Sequence, residues 1–175
     1  MPEEHPMKVV IVLAMHGAPP LDFPKAELGE FMSIETAMEH AHGQSYSFWR
    51  HRYDEIEQKM RQWPRTPEND PFYAGSQDLA NHLRRTTGYM VIVGFNEFCS
   101  PSLDEAMDLA AGQAAARIII ITPMMTRGGE HSERDIPDAV ERARERHPME
   151  NFTYIWPFPS AEVAEFLAAQ IAKSL

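Results

Sequence analysis

The stretch Lys8-Val-Val-Ile-Val-Leu-Ala-Met15 decides the fold. Its apolar residues are continuous rather than alternating, which marks a strand covered on both faces. Two further runs have the same character, Tyr89-Met-Val-Ile-Val-Gly-Phe95 and Arg117-Ile-Ile-Ile-Ile-Thr122. A fourth, Phe152-Thr-Tyr-Ile-Trp156, is shorter and more mixed. Helical periodicity fills the intervals. Phe48, Trp49, Tyr53, Ile56, Met60 and Trp63 recur at spacings of three and four across Ser47 to Trp63, and Leu79, Ala80 and Leu83 do so within Gly75 to Arg85. After Cys99, Ser100 is placed to cap a helix with Pro101 in its first turn and Asp104 and Glu105 at its positive end. That helix is expected to reach Ala115. Another is expected from Asp135, and a last one over Ala161 to Lys173 with Val163, Phe166, Leu167 and Ile171 facing inward. Strands alternating with helices predict an α/β fold: an open, mainly four-stranded parallel sheet with helices on both faces.

About 70 residues separate the first two strands, whereas a parallel crossover needs only about a dozen. Residues 21–71, approximately, therefore read as a helical insertion after the first strand, closed by a proline-rich link from Trp63 to Pro71. Otherwise the length suits a single domain over 1–175.

Composition narrows the function. A net charge of −10 argues against nucleic acid as a partner, which needs a basic footprint. The single cysteine, Cys99, cannot build a disulfide framework and reads as a small buried residue in a reducing compartment. The opening residues are polar, unlike a secretory leader, and no apolar run approaches the ~20 residues of a membrane span. The expectation is a cytoplasmic protein with no membrane partner.

Open parallel sheets bind ligands beyond the carboxyl ends of their strands. His16 follows the first strand, Glu97 follows the second, and His131 stands in the glycine-rich loop after the third. Two imidazoles and a carboxylate suit a borderline divalent ion such as cobalt, nickel or iron(II). With no Cys-x-x-Cys and no His-Glu-x-x-His, this is no closed structural zinc cage, and a sparse, open site suits a metal that must leave again. A metal must displace protons from imidazole, so binding should weaken below about pH 6. Dinucleotide, P-loop and nucleophile-elbow motifs are absent, so no organic cofactor is expected. His40-Ala41-His42 reads as the exposed end of a helix, and Met124 and Met125 as packing or pocket-lining residues.

These residues carry a resemblance. Gly94-Phe-Asn-Glu-Phe-Cys-Ser-Pro-Ser-Leu-Asp-Glu-Ala106 and Gly129-Glu-His-Ser-Glu-Arg-Asp-Ile-Pro137 are similar to the small sirohydrochlorin cobaltochelatases of the CbiX type, within the class II chelatases. The first strand ending in His16-Gly17 matches more loosely, since Ala18-Pro19-Pro20 follows where small members carry serine and a polar turn. The resemblance implies a chelatase inserting a divalent metal, cobalt first and nickel or iron(II) next, into sirohydrochlorin. It implies His16 and His131 as metal ligands, with Glu97 handling metal or protons. It further implies substrate contacts from Gly17, Met124, Arg127, Gly128 and Gly129, and a homodimer. The substrate is a polyanion, so a local basic patch is expected among Arg50, His51, Arg52, Arg84, Arg85 and Arg127. The alternatives are a non-catalytic tetrapyrrole or metal carrier on the same fold, and a ferrochelatase-like enzyme acting on another porphyrin.

Overall fold

The computed structural model describes residues 8–40 and 42–175. The polar opening stretch and position 41 of the His-Ala-His segment lie outside them.

The sheet has four parallel strands: β1 Val9–Met15, β2 Met90–Phe95, β3 Arg117–Ile121 and β4 Phe152–Ile155, in the order β2-β1-β3-β4. All seven residues of β1 are buried, as its unbroken apolar run requires. The helices are α1 Lys25–His40, α2 Gln44–Arg61, α3 Pro71–Thr87, α4 Leu103–Ala111, α5 Ile136–Arg146 and α6 Ser160–Ala172.

Chain direction explains the layering. From β1 the chain moves to one edge, and from β2 it returns past β1 to β3 and on to β4. Right-handed crossovers travelling in opposite directions leave their helices on opposite faces. Accordingly, α4 and α5 cover Val10, Val12 and Ala14 of β1, while Ala80 of α3 packs with Ile11, Leu13 and Met15. The reversal point lies between the carboxyl ends of β1 and β3, which is where an open α/β sheet opens a crevice.

Local chemistry moves several boundaries. Helix α4 is capped by Ser102 rather than Ser100. The Ser102 hydroxyl accepts from the Glu105 N–H, and the Glu105 carboxylate accepts from the Ser102 N–H. Pro101 stays with the strand end, where its carbonyl accepts from the Phe95 N–H at 2.9 Å. The helix stops at Ala111, and Ala114 beyond it has φ of 49°, a left-handed conformation no helix can continue through. The segment before α5 is already wound: His131–Asp135 forms a π-helical turn that runs directly into the helix.

The insertion holds two helices, α1 and α2. They form a hairpin with its own core of Phe23, Phe31, Ile34, Ile56 and Met60, extended by the Phe31–Tyr53 stack at 4.3 Å. The expected inward face of α6 is a correction. No residue of this helix is buried, and Phe166, Leu167 and Ile171 are exposed. It follows the edge strand β4, and no layer among the described residues covers its apolar residues.

Candidate metal centre

The backbone ladder between β1 and β2 continues past the ends of the strands. The Asn96 N–H donates to the Met15 carbonyl and the Glu97 N–H to the His16 carbonyl, both at 2.9 Å. This fixes His16 and Glu97 side by side, with His16 Nδ1 3.7 Å from a Glu97 carboxylate oxygen. The approach is possible only because residue 17 is glycine. Gly17 has φ of 103°, and a Cβ there would stand 1.9 Å from the Glu97 carbonyl oxygen. Gly17→Ala is therefore expected to force the two loops apart, lowering the melting temperature and Co²⁺ affinity together. Thermal unfolding and calorimetric metal titration check this, and unchanged values in both would contradict the close approach.

The π-helical turn after β3 delivers the third group. His131 Nε2 lies 3.1 Å from His16 Nε2, and the rings meet edge to face with centroids 4.4 Å apart. Potential ligand atoms of His16, Glu97 and His131 all lie within 4.8 Å of one another. With metal–nitrogen bonds of about 2.1 Å, nitrogens at this spacing would subtend about 95° at a shared ion, nearer octahedral than tetrahedral. Both histidines and the glutamate are only partly covered, so water and a macrocycle have access.

The two imidazoles differ in support. His131 Nδ1 lies 2.6 Å from an Asp135 carboxylate oxygen, four residues on in the same turn. The Asn96 amide also donates to that oxygen, at 3.2 Å. An Nδ1–H donated to Asp135 leaves the Nε2 lone pair facing His16, the usual way an imidazole is oriented for metal. Burial pushes the Asp135 carboxyl up, but hydrogen bonds from His131, Asn96 and Arg134 outweigh it and hold the group below the usual carboxylate range. His16 Nδ1 is buried and has no hydrogen-bond partner among the described residues.

Two arginines from the end of the insertion and its link brace the loops. Arg61 donates to the carbonyls of Asn96 and Cys99. Arg65 is buried with Asp70 and donates to it and to the carbonyls of Ala18, Met60 and Phe98. Asp70 also caps α3 by accepting from the Tyr73 N–H.

Beside the histidines lies a polar cavity of about 650 Å³. Glu97, Glu130, His131, Arg134 and Asp135 line it from the sheet side, with Met38, Arg50 and Tyr53 from the insertion. Among the expected basic patch, only Arg50 reaches this cavity. Arg52 pairs with Glu30 and Glu55, and Arg84 donates to the Val91 carbonyl. Arg127 sits over the Trp156 ring and lines a different cavity of about 320 Å³. Met124 packs against the sheet core and accepts from the Trp156 indole through its carbonyl. The Gly128 N–H donates to the Glu133 carboxylate, and the Gly129 carbonyl accepts from Ser132. Sequence reasoning missed Asn96, Arg134 and Asp135 as site residues. The i,i+4 spacing of His131 and Asp135 was a readable signal only if that segment is already helical.

The CbiX family model matches residues 69–174. A sirohydrochlorin ferrochelatase from Priestia megaterium is 32% identical over 66 residues, covering 38% of this chain and 24% of that protein. A sirohydrochlorin cobaltochelatase from the same organism is 32% identical over 81 residues, covering 46% and 26%. The chain thus spans about a quarter of the length of these curated relatives. Among solved structures, a putative cobalamin biosynthesis CbiX protein from Marinobacter aquaeolei VT8 shares the fold. It has a TM-score of 0.54 at 14% identity over 95% of both chains. Among the described residues, no helix is long and apolar enough to cross a membrane.

Proposed function

The chain belongs to the CbiX family, and on that premise we propose that it inserts a divalent metal ion into sirohydrochlorin. The observation that carries the reading is the pair of Nε2 atoms 3.1 Å apart, with Glu97 beside them, at the point where the sheet changes direction. His16 and His131 hold the incoming metal, with water in the remaining positions. Cobalt is the first metal proposed, and nickel and iron(II) suit the same donors. Metal insertion expels two pyrrole N–H protons. Glu97, partly exposed and 3.7 Å from His16, is placed to accept one of them. The four ring nitrogens then outcompete two imidazoles, so the metal leaves with the product. No organic cofactor enters this scheme. Gly17 acts by letting the Glu97 loop approach, and Gly128 and Gly129 act through their bonds to Glu133 and Ser132 in the turn that delivers His131, while Arg127 sits over the Trp156 ring instead.

Anaerobic absorbance spectroscopy of sirohydrochlorin with Co²⁺, Ni²⁺ or Fe²⁺, with and without protein, tests this. Accelerated conversion to the metallated spectrum supports the chelatase and ranks the metals. Binding without conversion would replace it with a carrier, and activity confined to a dicarboxylic porphyrin would replace the substrate. We propose a cytoplasmic location alongside this reading.

The uncovered face of α6, with Phe166, Leu167 and Ile171 about half exposed, supports a homodimer. Light scattering is expected to give twice the chain mass, falling to one chain mass in Phe166→Glu/Ile171→Glu. A monomeric wild type would end the dimer proposal.

A further inference from the structure

The insertion lies almost wholly outside the family match, which begins at residue 69, yet it contributes to the cavity beside the metal ligands. Arg50 and Tyr53 of α2 and Met38 of α1 line the same space as Glu130, His131 and Arg134 from the turn after β3. Resting on the reading of this cleft as a tetrapyrrole site, we infer that the insertion is its second wall, and that Arg50 and Arg134 together bind the peripheral carboxylates of the macrocycle.

The guanidinium group is planar and forks to match a carboxylate with two parallel hydrogen bonds. Arg50 is already oriented, with its guanidinium carbon 5.5 Å from the centroid of the Tyr53 ring. That ring is itself fixed by its stack on Phe31 in the core of the insertion. The present partners of both arginines are exchangeable. Arg50 pairs with Asp54 at 2.9 Å and Arg134 with Glu130, each four residues away on its own element and about half or more exposed. Exposed i,i+4 pairs hold weakly and give way to a well-matched anion. Arg134 also touches Asp135, whose other carboxylate oxygen is engaged by His131.

A polyanionic ligand approaching a chain of net charge −10 needs local cations. The carboxylates closest to the imidazoles, Glu97 and Asp135, are offset once a divalent ion is bound. Arg50 and Arg134 then stand as the cations lining the cavity. Met38 and the Tyr53 ring supply apolar surface for the macrocycle itself, the usual mixture in a small-molecule site. This gives the insertion a role in substrate selection that its distance from the sheet core conceals.

The test is direct binding, which does not depend on turnover. Arg50→Gln, Arg134→Gln and the double variant are titrated with an octacarboxylate porphyrin, with a tetracationic porphyrin lacking carboxylates, and with Co²⁺ alone. The Kd for the octacarboxylate is expected to rise about tenfold in each single variant and about a hundredfold in the double, with Arg50→Lys recovering part of the loss. Co²⁺ binding should not change in Arg50→Gln, whose partner Asp54 touches no proposed metal ligand, and the tetracationic probe should bind no more weakly than to wild type. If the double variant binds the octacarboxylate as tightly as a wild type that inserts metal, the inference is wrong and the chelatase reading stands. If wild type binds the octacarboxylate through these arginines but inserts no metal, the chelatase reading falls and the inference stands. A wild type that binds no octacarboxylate overturns both.

Discussion

His131→Ala is expected to abolish metal insertion while leaving the fold intact. His131 stands on a partly exposed π-helical turn rather than in either sheet core, so its removal opens no internal cavity. What it removes is one of two imidazoles and the only one of the pair aligned by a carboxylate. His16→Ala should also fail to turn over. The difference between them should appear in Co²⁺ binding. A ligand held by Asp135 and Asn96 is preorganised, whereas His16 Nδ1 has no such partner, so His131→Ala should lose more affinity. Asp135→Asn keeps the ring but loosens it, and losses at such supporting groups run to about 10–100-fold in metal affinity. Calorimetric titration with Co²⁺, together with the sirohydrochlorin assay, checks the series. Normal insertion rates in His131→Ala would remove His131 from the site.

Arg65→Met is expected to be the most destabilising single substitution outside the sheet. The side chains of Arg65 and Asp70 are 6% and 1% exposed. Deleting one partner leaves a buried charge unpaired, which costs about 3–5 kcal/mol. For a chain of this length that lowers the melting temperature by roughly 10 °C. The same substitution strips donors from the carbonyls of Ala18, Met60 and Phe98, so the loops after β1 and β2 lose their common clamp. Metal affinity should fall with stability, although Arg65 touches no ligand atom. Arg65→Met/Asp70→Asn removes both charges and should recover part of the lost stability, giving a positive coupling in a double-mutant cycle. A single-variant loss below about 1 kcal/mol would show that the pair is already compensated by solvent.

The sheet was legible because burial on both faces writes itself into composition. Val9 to Met15 is buried on both faces and must be apolar, and Ile118 to Ile121, buried at Ile118 and Ile120 and half-buried at Ile119 and Ile121, keeps the same continuity, which implies parallel pairing. His16, Glu97 and His131 were legible for the same reason. Once strand ends are known, the residues just beyond them share one edge.

Features that depend on neighbours distant in sequence were not legible. Val163, Phe166, Leu167 and Ile171 have helical spacing, but spacing shows only that a face is apolar, and what covers that face depends on the next layer. Ser100 and Ser102 are both competent caps, and the choice was made by the Phe95 hydrogen bond to Pro101. Arg50 and Arg127 are equally basic in sequence. Only the packing of α2 against α1 brings Arg50 to the cavity beside His131, while the turn after β3 sends Arg127 to Trp156. The sequence by itself determined the strands, their parallel pairing and the three groups at their ends, because local burial and chain direction suffice for these. The tertiary structure alone decided the Arg65 clamp and the insertion wall, because each depends on contacts whose energies arise only when distant segments meet, whereas the Asp135 support of His131 followed once the segment after β3 wound into a helical turn.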